Sequence, residues 1–496
     1  MGLTMAATFI VVLDTTIANV ALPHMQAALG ASPDTISWVL TSYILASAVA
    51  LPLTGWLSAK FGRRMLFTVA VAGFTLSSAL CGVANSLGMM VVARLIQGLC
   101  GSVLAPMSQA IMYDINPPEK HVQAMTLWGL VIMVGPILGP VVGGYLTENF
   151  DWRWVFYINV PIGIVTAIGG WALISGGKQA GRRFDAIGFV LLATALASMQ
   201  LLLDRGVQLD WFDATEIWVE LGVCVIASWM FVVHTATSPH TILPRQLFAD
   251  RNFVIACVSI TVLGGILTAG AALVAPMLQA LFGYPVLLAG LLTSPRGIGT
   301  MAGMLLAGRL TKYLDPRVPI LTGMALLAWS LLMMTGFDLG MDQRPIVISG
   351  LVQGLGLGLV VLPMNLLALS TLSGLLRTDA ASLYNLMRSI GGSIAISLMT
   401  ALIARQTQVS HATLGAHLSQ TRLPFLGQGI FEQLGFNGAV ITKMMDSEVT
   451  RQAVMIAYID AYYAMMWAAI AVMPLILTMR RQRTEEPPGD VVMDAH

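Results

Sequence analysis

GWLSAKFGRR, residues 55–64, joins two apolar runs at 36–58 and 65–85, and this alternation of long apolar run and short loop repeats along the chain. A helix of about 20 apolar residues crosses a hydrocarbon core about 30 Å thick. Backbone N–H and C=O groups find no water there, so each run must be helical. Fourteen runs qualify: 2–22, 36–58, 65–85, 88–112, 123–146, 154–175, 185–203, 215–235, 252–275, 286–308, 318–337, 344–369, 379–403 and 456–479. The sequence therefore predicts an all-α polytopic membrane protein.

Composition agrees. Apolar residues make up 56% of the 496, charged residues 10%, and mean hydropathy is +0.79. A soluble domain carries about 25% charged residues, so that class is excluded. A net charge of +1 gives no basic surface for nucleic acid. Cys81, Cys100, Cys224 and Cys257 lie inside apolar runs without metal or redox spacing and read as small core residues. The first run lacks a basic leader region and a small-residue cleavage site, so it is expected to remain as the first helix.

Placing the N-terminus inside puts sixteen Lys and Arg residues in inner loops and seven in outer ones, and four of those seven fall in one long segment. The positive-inside rule then predicts both termini in the cytoplasm. The long segment, 404–455, carries apolar residues at helical spacing (Leu414 and Leu418; Ile441, Met444 and Met445) and is expected to be a folded helical excursion on the outside. A weak internal repeat relates GWLSAKFGRR at 55–64 to GRLTKYLDPR at 308–317. It suggests two six-helix halves, 1–175 and 251–479, separated by two extra helices within 176–250 and followed by a tail at 480–496. Duplicated halves are common in secondary transporters, with substrate bound between them near the midplane.

Charges inside the bilayer mark pathways or couplings. Here they are Asp14, Arg94, Arg296 and Arg388. Asp14 is eight residues from the outer end of its run and Arg94 about six from the outer end of another, about 12 Å and 9 Å deep at the helical rise. At similar depth the two can meet. Apolar surroundings favour a neutral carboxyl and a nearby guanidinium favours a charged one, so a contact that changes with conformation suits proton coupling. A static clamp between helices is the alternative. Arg388 stands beside Asn385 and reads equally as packing or pathway lining, while Arg296, between Pro295 and Gly297, is expected to bond a backbone carbonyl. Met364 is a further candidate for an adaptable substrate cavity, as are Trp38, Tyr43 and Trp128, for each of which packing or interface anchoring is the favoured alternative.

GPILGPVVGG at 135–144 sets Gly135, Gly139 and Gly143 on one helix face, suited to close helix approach. Pro136 and Pro140 remove backbone donors, Gly144 adds another small residue, and the whole reads as a conformational seal between the halves. Gly55, Gly62, Arg63 and Arg64 form a candidate inner-loop gate. No GxxxxGK[ST], HExxH, CxxC or GxSxG occurs, so no ATP motor or resident cofactor is expected.

The inner loop at 55–64, Arg94 with Gln97 and Gly98, and GPILGPVVGG resemble the signature motifs of the major facilitator superfamily, the last being the motif of its drug:proton antiporters. LDTTIANVALP at 13–23, WVFYINVPIG at 154–163, LDRG at 203–206 and LDWF at 209–212 resemble the fourteen-helix branch of EmrB-type multidrug exporters. One departure is Ala59, where the family usually has an acidic residue. The resemblance implies proton antiport of hydrophobic or amphipathic drugs by alternating access across a bacterial inner membrane, driven by the proton gradient. Asp14 would carry the proton with Arg94 as partner. Beside that resemblance, Asn19, Gln97, Asn365, Asn385 and Arg388 join the candidates for the substrate cavity. The resemblance also implies a tripartite efflux pump, with a periplasmic adaptor docked on 404–455 and an outer-membrane channel beyond. A dedicated exporter of one metabolite or fatty acid on the same fold is the alternative; a membrane enzyme would need an acid/base or metal cluster that the sequence lacks.

Overall fold

The computed structural model describes residues 1–174, 183–206, 208–209, 211–370, 372, 376–417 and 438–479. Among these the regular elements are helices: α1 Gly2–Leu29, α2 Pro33–Ile36, α3 Trp38–Ala50, α4 Leu53–Phe61, α5 Arg63–Gly82, α6 Leu87–Ile115, α7 His121–Asn149, α8 Trp154–Tyr157, α9 Asn159–Leu173, α10 Ala186–Gly206, α11 Thr215–Thr237, α12 Arg245–Ala249, α13 Arg251–Phe282, α14 Val286–Thr293, α15 Pro295–Leu310, α16 Arg317–Thr335, α17 Arg344–Ser370, α18 Arg377–His417 and α19 Gly438–Leu477. The tail at 480–496 lies outside the described residues.

Among the described residues twelve spans are long and apolar enough to cross a membrane, and α3 with α4 makes a thirteenth, bent by 60°. The bend falls at Pro52, which lacks the N–H that would continue the ladder. The expected run 286–308 is carried by α14 and α15 in succession, broken at Ser294 ahead of Pro295. Fourteen crossings are compatible with this arrangement.

The spans gather into two bundles. In the first, α1 packs on α6, α7 and α9, α3 on α6, and α5 on α6 and α9; in the second, α13 packs on α18 and α19, α15 and α16 on α17, and α16 on α19. Between them α10 touches both α3 and α18, and Ser397 donates to the Leu203 carbonyl at 2.7 Å. In its partner α11 only 11% of the residues in the most apolar stretch are buried, against 67% in α13, so α11 presents most of its apolar surface outward. The two bundles meet near the face that carries Arg63 and Arg64, called the basic face below. There Ser382 bonds the Leu51 carbonyl, Asn385 donates to Gln109 at 3.0 Å, and the Arg377 guanidinium lies 5.7 Å from the centre of the Tyr113 ring.

Three boundaries differ from the sequence reading. Helix α1 runs through Pro23 to a left-handed cap at Gly30 instead of ending at 22. Helices α18 and α19, with 41 and 40 residues, are each about 60 Å long, twice the hydrocarbon thickness. The described parts of 404–455 are thus extensions of the last two spans rather than a separate unit: no proline interrupts 377–417, so the helix continues where polar residues take over. His411 and Asp446 pair across the two extensions at 3.0 Å. Leu418 lies outside the described residues.

Glycines let α15 and α17 approach backbone to backbone. A Cβ on Gly358 would stand 2.6 Å from Met304 N and 2.8 Å from Gly303 C. Gly358→Leu is therefore predicted to lower stability by about 1–3 kcal/mol, read as a lower midpoint in thermal unfolding of the purified protein. Gly415→Ala, where a Cβ meets nothing within 4 Å, should leave the midpoint unchanged or slightly raised.

Candidate functional site

Three helices contribute polar side chains to one point inside the first bundle. Asp14 of α1 is fully buried, as are Arg94 and Gln97 of α6 and Asn159 of α9. Arg94 Nη1 donates to Asp14 Oδ2 at 2.6 Å. Gln97 Nε2 and Asn159 Nδ2 donate to Asp14 Oδ1 at 2.9 and 2.8 Å. The cluster is closed by a second layer: Arg94 Nε donates to the Val39 carbonyl at 3.0 Å and Nη1 to Gln97 Oε1 at 2.7 Å. Asn159 also donates to Ser78 Oγ at 3.1 Å. The guanidinium lies between the Tyr43 and Phe156 rings, 4.6 and 5.6 Å from their centres, a cation–π setting in a desolvated place.

Both Asp14 oxygens accept, one from a cation and one from two neutral amides. Removing either partner of the ion pair would leave the other charge uncompensated in an apolar interior, which is strongly unfavourable.

The glycine stripe sits against this cluster. A Cβ on Gly135 would stand 2.8 Å from Val12 Cγ1 and one on Gly143 3.1 Å from Ile17 Cγ2, while Gly139 faces the Thr16 side chain. The stripe thus packs on α1 of its own bundle, around the turn that carries Asp14, and not on the opposite half as expected. Contact with the second bundle comes from other positions on α7: Gly129 lies by Met304, and Ile137 by Gly297. Pro136 is exposed, and nothing stands within 4 Å of a Cβ on Gly144. The side chain of Pro140 lies outside the described residues.

A small cavity between the bundles, of about 30 Å³, is lined by Gln109, Trp128, Asn365, Tyr384, Asn385 and Arg388, with apolar walls from Ile132, Ile260, Met304 and Val361. That is room for a water or two, so a drug-sized molecule enters only if the bundles part. Trp128, Asn365, Asn385 and Arg388 were expected there. Of the others proposed for it, Tyr43 and Gln97 stand in the Asp14 cluster. Asn19 is exposed and bonds the Thr15 carbonyl of its own helix, Trp38 is half-buried, and Met364 is buried in the second bundle's core. Arg296 donates to the Leu267 carbonyl at 2.8 Å, the kind of partner expected for it.

At the basic face Gly62 takes φ 81°, a left-handed value that suits glycine. Arg63 pairs with Asp114, Arg64 lies 4.4 Å from the centre of the Trp171 ring, and Gly55 lies directly against Asp379. Sequence reasoning did not assign Ser78, Asn159, Gln109, Tyr384 or Asp114. The signal for Asn159 and Ser78 was an amide and a hydroxyl in otherwise apolar runs; nothing in the sequence indicated which charges they would meet.

Breaking the buried pair from one side should cost more than dissolving it. Arg94→Gln alone is predicted to destabilise by about 3–5 kcal/mol. Adding Asp14→Asn should recover much of that loss, a non-additivity read from a double-mutant cycle of unfolding free energies.

The family model described as Major Facilitator Superfamily matches residues 4–396. The multidrug export protein EmrB of Escherichia coli strain K12 is 34% identical over 473 residues, 92% of this chain and 90% of its own length. The fatty acid resistance protein FarB of Neisseria gonorrhoeae is 33% identical over 475 residues, 95% and 93% of the two chains. Among solved structures, the proton:xylose symporter XylE bound to 6-bromo-6-deoxy-D-glucose superposes with a TM-score of 0.62 at 12% identity, covering 97% of this chain and 95% of that one. The human organic anion transporter MFSD10 gives 0.59 at 12%, covering 94% and 98%. With its helical bundles, its span count and a family match over most of its length, the chain belongs to the Major Facilitator Superfamily.

Proposed function

We propose that this chain is a proton-coupled exporter of hydrophobic or amphipathic compounds, working by alternating access between its two bundles. The observation that carries the reading is the Asp14 cluster: a buried carboxylate matched to a guanidinium and two amides, on helices lying against the helix that bounds the central cavity. When the bundles part on the side away from the basic face, water reaches Asp14, a proton enters, the Arg94 contact loosens and substrate leaves. When they part at the basic face, the proton is lost, the cluster re-forms and substrate binds. The glycine stripe lets α7 slide on α1 while Asp14 stays covered. The names of the relatives, a multidrug export protein and a fatty acid resistance protein, support export as the direction and amphipathic compounds as cargo. FarB keeps a dedicated fatty acid exporter in view as the second reading.

On this reading the chain lies in a bacterial inner membrane with both termini in the cytoplasm and needs no cofactor beyond the proton gradient. The paired extensions of α18 and α19 would then rise from the outer face as the docking point for a periplasmic adaptor leading to an outer-membrane channel, as part of a tripartite pump.

In proteoliposomes, an imposed proton gradient is expected to drive accumulation of several unrelated lipophilic compounds. Asp14→Asn should abolish this while retaining gradient-independent exchange of the same compounds. Gradient-driven transport at the wild-type rate in Asp14→Asn would remove Asp14 from the mechanism.

A further inference from the structure

The central cavity carries a cation without an anion. Arg388 lines it together with Gln109, Trp128, Asn365, Tyr384 and Asn385, and no carboxylate is among the lining residues. The hydrogen bond described for its guanidinium is to Asn385 Oδ1, at 3.2 Å, a neutral acceptor already engaged through its amide nitrogen with Gln109 and with the Ala381 carbonyl. This contrasts with Arg94, whose guanidinium is matched by Asp14. One turn before Arg388 on the same helix, the buried Tyr384 hydroxyl has no hydrogen-bond partner among the described residues. Residues four apart share a helix face, so a guanidinium and a hydroxyl stand side by side at one wall. The rest of the cavity is aromatic and aliphatic.

A guanidinium in an apolar setting is costly to leave unmatched, and the ligand that matches it has a planar oxyanion, which Arg binds through two parallel N–H donors. We infer that Arg388 and Tyr384 form the head-group site for a monoanionic amphiphile, a carboxylate or similarly acidic compound with an apolar tail, whose body lies against Trp128 and the aliphatic walls when the bundles part. The inference rests on the exporter reading for why a ligand enters this cavity, and it narrows the cargo from hydrophobic compounds in general to those carrying one negative charge. Because Arg388 and the Asp14 cluster are separate, head-group recognition and proton coupling are separable by mutation.

The test is equilibrium binding to the purified full-length chain in phosphatidylcholine nanodiscs, with three probes of equal tail length: octanoate, octanol and octylammonium. Octanoate is expected to bind at least about tenfold tighter than the other two, the scale of a hydrogen-bonded charge pair. Arg388→Gln should erase that preference by weakening octanoate while leaving octanol within about twofold. Arg388→Lys should keep part of it, and Tyr384→Phe, which removes one oxygen and no volume, should weaken octanoate selectively even if Arg388→Gln proves unstable. Equal binding of all three probes by the wild type would overturn the proposal, as would an octanoate preference that survives in both Arg388→Gln and Tyr384→Phe. Loss of octanoate binding on replacing part of the phosphatidylcholine by phosphatidylglycerol would assign the site to a lipid head group and also overturn it. Binding is measured without a proton gradient, so a protein that binds octanoate as expected yet fails to transport would contradict the exporter reading and leave the site standing.

Discussion

The pairing of Asp14 with Arg94 is the constraint on which the first bundle depends. Two opposite charges have been taken wholly out of water, and the desolvation involved is offset only by the bonds they make to each other and to the amides around them. That requirement fixes four helices relative to one another: α1 through Asp14, α6 through Arg94 and Gln97, α9 through Asn159 and α5 through Ser78. It also fixes α3, whose Val39 carbonyl accepts from Arg94 Nε and whose Tyr43 ring covers the guanidinium. A change in this one ion pair is thereby felt by most of the bundle.

The route from this cluster to the central cavity is short and made of stiff pieces. Helix α6 carries Arg94 and Gln97 in the cluster and Gln109 in the cavity wall, twelve residues beyond Gln97 and so about 18 Å along the same rod. Helix α1 carries Asp14 and, six residues earlier, Thr8, which accepts from Trp128 Nε1 of the cavity wall at 3.3 Å. Rigid elements shared by two sites are the physical means by which occupation of one biases the other. The two bundles touch through polar contacts near the basic face, where Leu51, Gln109, Ser382 and Asn385 meet, and through apolar contacts of α7, where Gly129 lies by Met304 and Ile137 by Gly297.

The spans were legible because lipid allows few alternatives: an apolar run of the right length must be a helix. Their ends were less so. Pro23 reads as a stop, yet α1 continues past it, since a helix in apolar surroundings keeps its remaining backbone bonds. Polar residues after 403 read as an exit from the helix, yet α18 continues into water with no proline to stop it. At the site, Asp14 and Arg94 stood out because charge in the membrane is rare, and their similar depth made a meeting plausible. The glycine stripe was recognisable as a packing face, but its partner was not: GPILGPVVGG has no feature that distinguishes α1 from the opposite bundle. Tyr43 and Gln97 were expected at the cavity and stand in the charge cluster instead. Depth along a helix is readable from a sequence, whereas the direction a side chain faces depends on the rotation of the helix in the finished bundle.

The central claim is that substrate binding and the proton on Asp14 exclude one another. The most direct measurement is proton release into weakly buffered solution when octanoate or another bound amphiphile is added to the detergent-solubilised chain, with Asp14→Asn alongside. The account predicts release of protons from the wild type and none from Asp14→Asn at equal substrate occupancy. Equal release from both proteins would contradict it, placing the exchanged proton on some group other than Asp14.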